Sequence, residues 1–152
     1  MYGFTSMYNR TGLVRYLDKA RRVSQFYVDH LPTGDSVVPP WDFNAPASTN
    51  PPRDTSSATI ASSALLLLSQ VEASLGNVTG SAYWTDKAVM LLRDIIRLAW
   101  RPEPQWQALL SNGTSFYNHG VYDTGLIYGD YYFVKAGNIL LDMGIANCTL
   151  AG

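Results

Sequence analysis

One cysteine, two histidines and a formal net charge of -1 leave this 152-residue chain without most of the simple routes to chemistry. Cys148 has no partner for an intrachain disulfide, and with no second cysteine and no close histidine pair a structural zinc is excluded. The near-neutral charge gives no electrostatic footprint, so neither nucleic acid nor an anionic membrane is expected as a partner. No apolar run reaches membrane-spanning length: the uncharged stretch Thr55 to Val71 is interrupted by Ser56, Ser57, Thr59, Ser62, Ser63, Ser69 and Gln70. No segment alternates as a strand, no Ser or Cys nucleophile stands beside a histidine, and no Gly-rich phosphate loop occurs. An export signal, a basic start followed by an apolar core, is absent from the first residues as given. What remains is a chain 47% hydrophobic and long enough for one core, read as a single domain over 1–152.

Four acceptor sequons, Asn9-Arg-Thr11, Asn77-Val-Thr79, Asn112-Gly-Thr114 and Asn147-Cys-Thr149, exceed the about one or two expected by chance. A secreted parent protein and coincidence both account for them.

Periodicity predicts helices. From Leu13 to Leu31 apolar residues recur at three and four, with Arg15, Asp18, Lys19, Arg21, Arg22 and Asp29 between them. A second helix is expected from an N-cap at Asp54 or Thr55 to about Ser74, with no charge before Glu72. A third runs from about Ser81 to Trp100, where Pro102 stops it, and a last from about Tyr128 to Met143. Long loops precede the second and last helices: Pro-rich and aromatic around Val37–Asp54, rich in Asn, Gly and Tyr around Arg101–Leu126.

The order charged-face helix, long loop, weakly charged helix thus occurs twice with a period of about 70 residues, which suits concentric helix pairs. Both loops would then gather where inner helix N-termini present free N–H groups. Trp41 would stack on a sugar ring or anchor the loop. Asp42 would be a site carboxylate or satisfy loop N–H groups. Arg53 and Asp54 would cap the following helix and tie down the loop, or reach ligand. His119 would hydrogen-bond a polar or anionic ligand at the rim, and His30 would sit at a helix C-terminus. Asp130 is expected in a structural role, and Tyr131 as a ligand contact.

Several motifs together resemble the C-terminal portion of unsaturated glucuronyl hydrolases of glycoside hydrolase family 88. They are Tyr2-Gly3-Phe4 leading to Tyr8-Asn9-Arg10-Thr11-Gly12, PPWDFNAP at Pro39 to Pro46, PPRDTSSA at Pro51 to Ala58, Asn112-Gly113-Thr114, and YGDYYFVKA at Tyr128 to Ala136. The WDF and PRD loop and the GDYYF helix separate them from the related unsaturated rhamnogalacturonyl hydrolases. The resemblance implies an all-α fold, an (α/α)6 barrel of which this chain holds about the last five helices. It implies hydration of the C4–C5 double bond of an unsaturated uronic acid at a non-reducing end, with no metal or organic cofactor. In that reaction an aspartic acid protonates C4, water adds at C5, and the hemiketal collapses to release the next sugar.

The family's two key aspartates and its Arg-Gly-Gln-Ala-Trp segment have no counterpart in these residues. No catalytic residue is therefore assigned, the substrate-binding set is Trp41, Asp42, Arg53, His119 and Tyr131, and little or no turnover is expected from this chain alone. The alternative is a non-catalytic helical module that binds carbohydrate or protein. An open arc of barrel helices would also leave apolar edges exposed, so self-association is expected.

Overall fold

Gly12, at φ 67°, turns the chain between its first two helices and closes on the Tyr8 carbonyl. The computed structural model describes residues 1–46 and 50–147. Five α-helices follow one another: α1 (Tyr2–Thr11), α2 (Val14–Asp29), α3 (Thr55–Ser74), α4 (Val78–Ala99) and α5 (Ile127–Asp142), with a 3₁₀ turn at Tyr117–His119. Among the described residues there is no strand, only isolated antiparallel bridges that stitch the loops.

α3 is the axis of the molecule. Most of its residues from Thr55 to Glu72 are buried, which is why the helix carries no charge before Glu72. α4 packs along it, α1 and α5 flank it, and α2 closes the outside together with α4. The serines and threonines of α3 permit this close approach because each hydroxyl finds a nearby acceptor. Ser62 donates to the Ala58 carbonyl (2.8 Å), Ser63 to the Tyr132 carbonyl of α5 (2.9 Å), and Ser69 to the Ser81 carbonyl of α4 (2.9 Å).

The outer helices each bury one stripe: Leu17, Ala20, Ser24 and Tyr27 in α2, and Trp84, Ala88, Leu91, Leu92, Ile95 and Ala99 in α4. The repeat of outer helix, long loop and inner helix starts at Val14 and again at Val78. Two differences from the periodicity stand out. α1 lies where the pattern predicted no helix, and α4 begins three residues before Ser81, because Asn77 caps it by accepting from the Gly80 N–H.

The far end of α3 is fastened by a buried ion pair. Glu72, 1% exposed, takes Arg21 Nε and Nη2 at 2.6 and 2.7 Å, and Asn77 Nδ2 at 2.9 Å. The amide nitrogen that a glycan would need at this sequon is therefore already a structural donor. Cys148, and with it the centre of the Asn147 sequon, lies outside the described residues. No described helix is long and apolar enough to cross a membrane.

Candidate functional site

Asp54 builds the mouth of the molecule. As N-cap of α3 its Oδ1 accepts from Ser56 N (3.1 Å), Ser56 Oγ (2.6 Å) and, across the rim, Thr114 N (3.2 Å). The two long loops are thereby tied to one helix end. Thr55 donates through N to the Asn112 carbonyl and through Oγ1 to the Ser111 carbonyl, while Thr114 Oγ1 donates to the Arg53 carbonyl. Gly113 is required where the second loop crosses itself, since a Cβ there would stand 2.7 Å from Leu126 Cδ1 and 2.9 Å from the Thr124 carbonyl.

Beside this knot lies a cleft of about 350 Å³ whose polar wall is Tyr27, Asp54, Ser56, Ser57, Thr114 and Tyr128. Tyr27 O–H and Ser57 Oγ are 3.3 Å apart, and burial pushes the Tyr27 phenol up, so it stays a neutral hydroxyl. Ile60 and Ala61 give the cleft an apolar floor, and Tyr128 keeps an exposed ring at its lip. Hydroxyls that donate and accept, set beside an apolar floor, suit a polyol ring. Among the described residues, no three His, Cys, Asp or Glu side chains approach closely enough to hold a metal ion.

The five residues singled out from sequence do not share this cleft. Trp41 stacks on Tyr117 (4.6 Å, 15°), bridging the two loops, and Tyr122 lies tilted against Tyr117 at 5.7 Å and 40°. Asp42 Oδ1 accepts from the Asn44 N–H within its own turn (2.8 Å). Arg53 Nη1 turns back to the Val38 carbonyl at 2.6 Å. His119 is exposed and stacked on Phe116 at 4.0 Å. Tyr131 is 59% exposed on α5. Phe43 leaves the rim aromatics and packs edge-on against Tyr27. Asp130 clamps the second loop by accepting from the Leu109 and Leu110 N–H groups, and His30 caps α2 through Nδ1 and the Phe26 carbonyl.

Tyr27, Ser57, Thr114 and Tyr128 were not chosen from sequence. Tyr27 fits the apolar stripe of α2 equally well, so its pattern holds no signal. Tyr128 and Thr114, by contrast, stand inside the YGDYYFVKA and Asn-Gly-Thr motifs.

Over 144 residues, 90% of this chain, the sequence is 32% identical to an unsaturated glucuronyl hydrolase of Formosa agariphila. Over its matched length the chain corresponds to part of an unsaturated glucuronyl hydrolase. It spans about a third, 33%, of that relative's length. No known family's sequence profile matches the chain. The fold agrees: the crystal structure of an unsaturated glucuronyl hydrolase specific for heparin superposes with a TM-score of 0.83 at 23% identity, over 98% of this chain and 39% of that one. The enzyme from Bacillus sp. GL1 superposes with a TM-score of 0.77 at 22% identity, over 95% and 37%. The five helices are thus an arc of an (α/α)6 barrel like that of unsaturated glucuronyl hydrolases, as the resemblance implied.

One consequence for the knot can be measured directly. Asp54→Ala is expected to lower the unfolding free energy by about 1–2 kcal/mol, the usual cost of a lost N-cap, in a urea titration at neutral pH. An unchanged midpoint would show that the Thr114 and Ser56 donors do not depend on it.

Proposed function

We propose that this chain is the saccharide-holding rim of a carbohydrate-active hydrolase, and that it binds unsaturated uronyl oligosaccharides at the α3 cleft without turning them over by itself. The observation that carries the reading is the hydroxyl-lined cleft at the N-terminus of α3, where both rim loops meet. Tyr27 and Ser57 offer neutral hydroxyls to sugar hydroxyls, Thr114 and Ser56 extend the polar wall, and Tyr128 offers its ring to a sugar face. The relatives support the ligand class. One solved neighbour is a hydrolase specific for heparin, and another, at a TM-score of 0.77 and 22% identity, was solved with dGlcA-Glc-Rha-Glc.

Hydration of a C4–C5 double bond needs one carboxyl to deliver a proton and one carboxylate to position water. Among the described residues Asp54 is the only carboxyl on the cleft wall, and three donors already hold it as an acceptor. Asp42 and Asp130 are likewise engaged by backbone N–H groups. That arrangement supports the reading of binding without chemistry.

The test is calorimetric titration of the full chain with an unsaturated uronyl disaccharide, alongside the ultraviolet absorbance of its conjugated double bond. We expect heat of binding that falls at least about tenfold in affinity in Tyr128→Ala, with flat absorbance. Loss of the absorbance would place the acid and base within these residues and overturn the reading, as would binding that is indifferent to Tyr128.

A further inference from the structure

Asn112-Gly113 is the single Asn-Gly step in the sequence, and the fold dictates both residues. Asn112 stands at φ 57°, in the left-handed region that asparagine tolerates and most side chains do not. Gly113 follows where a Cβ would strike Leu126 and the Thr124 carbonyl. The rim is therefore built on the dipeptide most open to self-attack, since glycine puts no side chain between its own nitrogen and the asparagine amide carbon. In the folded chain both ends of that attack are held. Gly113 N–H donates to the Thr124 carbonyl at 2.8 Å, and the Asn112 carbonyl accepts from Thr55 N at 3.0 Å. Ser111 Oγ donates to Asn112 Oδ1 at 2.7 Å and fixes the side chain. Turning Gly113 N towards the amide carbon swings the Asn112 carbonyl with it, so both backbone bonds must break first.

We propose that Asn112 is a deamidation site locked by the rim knot: it reacts only when the second loop parts from α3, and its isoaspartate product keeps the knot from closing again. The nitrogen of Gly113 bonds to Asn112 Cγ and gives up its proton, the Cγ–Nδ2 bond breaks, and ammonia leaves. Water then opens the succinimide at one of its two carbonyls, without oxidation or reduction, to leave aspartate or isoaspartate. Aspartate keeps the left-handed backbone and an acceptor for Ser111 Oγ, so the knot tolerates it. Isoaspartate inserts a methylene between the residue's Cα and Gly113. The Asn112 carbonyl that Thr55 holds and the Thr114 N–H that Asp54 holds then no longer fall in register. The reaction needs no bound saccharide.

Mass spectrometry of the peptide spanning Asn112 follows the amide-to-acid exchange while the full chain is incubated at mildly alkaline pH. Exchange is expected to be at least about tenfold slower in the folded chain than in urea above the unfolding midpoint. Thr55→Pro tests the lock. Position 55 opens α3, where proline is accepted, so the helix stays while the donors to the Asn112 and Ser111 carbonyls go. With circular dichroism unchanged, exchange in that folded variant should rise at least about tenfold. Should Thr55→Pro unfold, Thr55→Val, which loses only the hydroxyl bond to Ser111, should still raise it a few-fold. Asn112→Gly keeps the left-handed turn and removes the amide. After incubation in urea it should refold with its original midpoint, whereas the isoaspartyl fraction of the parent should not. No exchange in urea, equal rates in urea and in the folded chain, a folded Thr55 variant with the parent's rate, or an isoaspartyl chain that refolds to the parent midpoint would each overturn the proposal.

Discussion

Asp94→Ala is expected to remove about 3 kcal/mol of stability, because it strips the acceptor from several donors at once. Asp94 sits on α4 and accepts from Ser36 Oγ (2.6 Å), Val37 N (2.7 Å) and Val38 N (3.3 Å), with Arg97 Nε at 2.9 Å on its other oxygen. Burial opposes ionisation of this carboxyl, but the Ser36, Arg97 and Val37 donors outweigh it and hold the group below the ordinary aspartate range. With alanine the Val38 N–H, on a residue with no exposed surface, keeps only Ser36 Oγ at 3.1 Å. The effect reaches the cleft: Ser36 and Val38 supply the carbonyls that hold Arg53, and Arg53 precedes the Asp54 cap. The melting temperature should fall by about 6–12 °C, and saccharide binding should weaken with it. Asp94→Asn keeps an acceptor and should recover part of the loss. A melting curve for Asp94→Ala that overlays the parent would rule out this anchor.

Arg21→Met is expected to cost about 3 kcal/mol at neutral pH, near the low end for breaking a buried pair, since the guanidinium side chain is itself 37% exposed. Methionine keeps the packing of the aliphatic stem, so the loss reports the charge left behind on Glu72. Arg21 holds the Glu72 carboxyl below the usual range, with Asn77 assisting and burial opposing. A depressed folded pKa means that this stabilisation is fully present above about pH 5 and is lost as pH falls through the folded value. The gap between parent and variant should therefore narrow in chemical denaturation between pH 7 and pH values below about 4. A gap that stays constant on acidification would show that Glu72 is not the group responsible. Replacing both partners by apolar residues, Arg21→Met with Glu72→Leu, should regain most of the stability.

What could be read from the linear chain follows from local physics. The Asp54 cap, the end of α3 at Ser74 and the stripes of α2 and α4 depend on contacts within one or two turns, and each stands where its pattern put it to within a few residues. The all-helical class and the pairing of charged-face outer helices with an uncharged and a weakly charged inner helix were legible for the same reason: a helix turned inward has little room for charge. α1 escaped because Gly3, Ser6 and Asn9 blur its stripe, and its helical state depends on packing against α2 and α3.

The site was decided elsewhere. Trp41, Asp42, Arg53 and His119 had the right chemistry for a sugar, yet the fold engages each with its own loops. Whether a loop side chain meets ligand or backbone depends on which N–H and C=O groups lie beside it after folding. Tyr27 and Ser57, thirty residues apart, became neighbours only when α2 packed against α3. The sequence by itself determined α2 to α5, their inner and outer order and the likeness to unsaturated glucuronyl hydrolases, since these rest on local pattern and motif. Only the tertiary structure decided which hydroxyls face one cleft, because that arises from contacts between residues far apart in the chain.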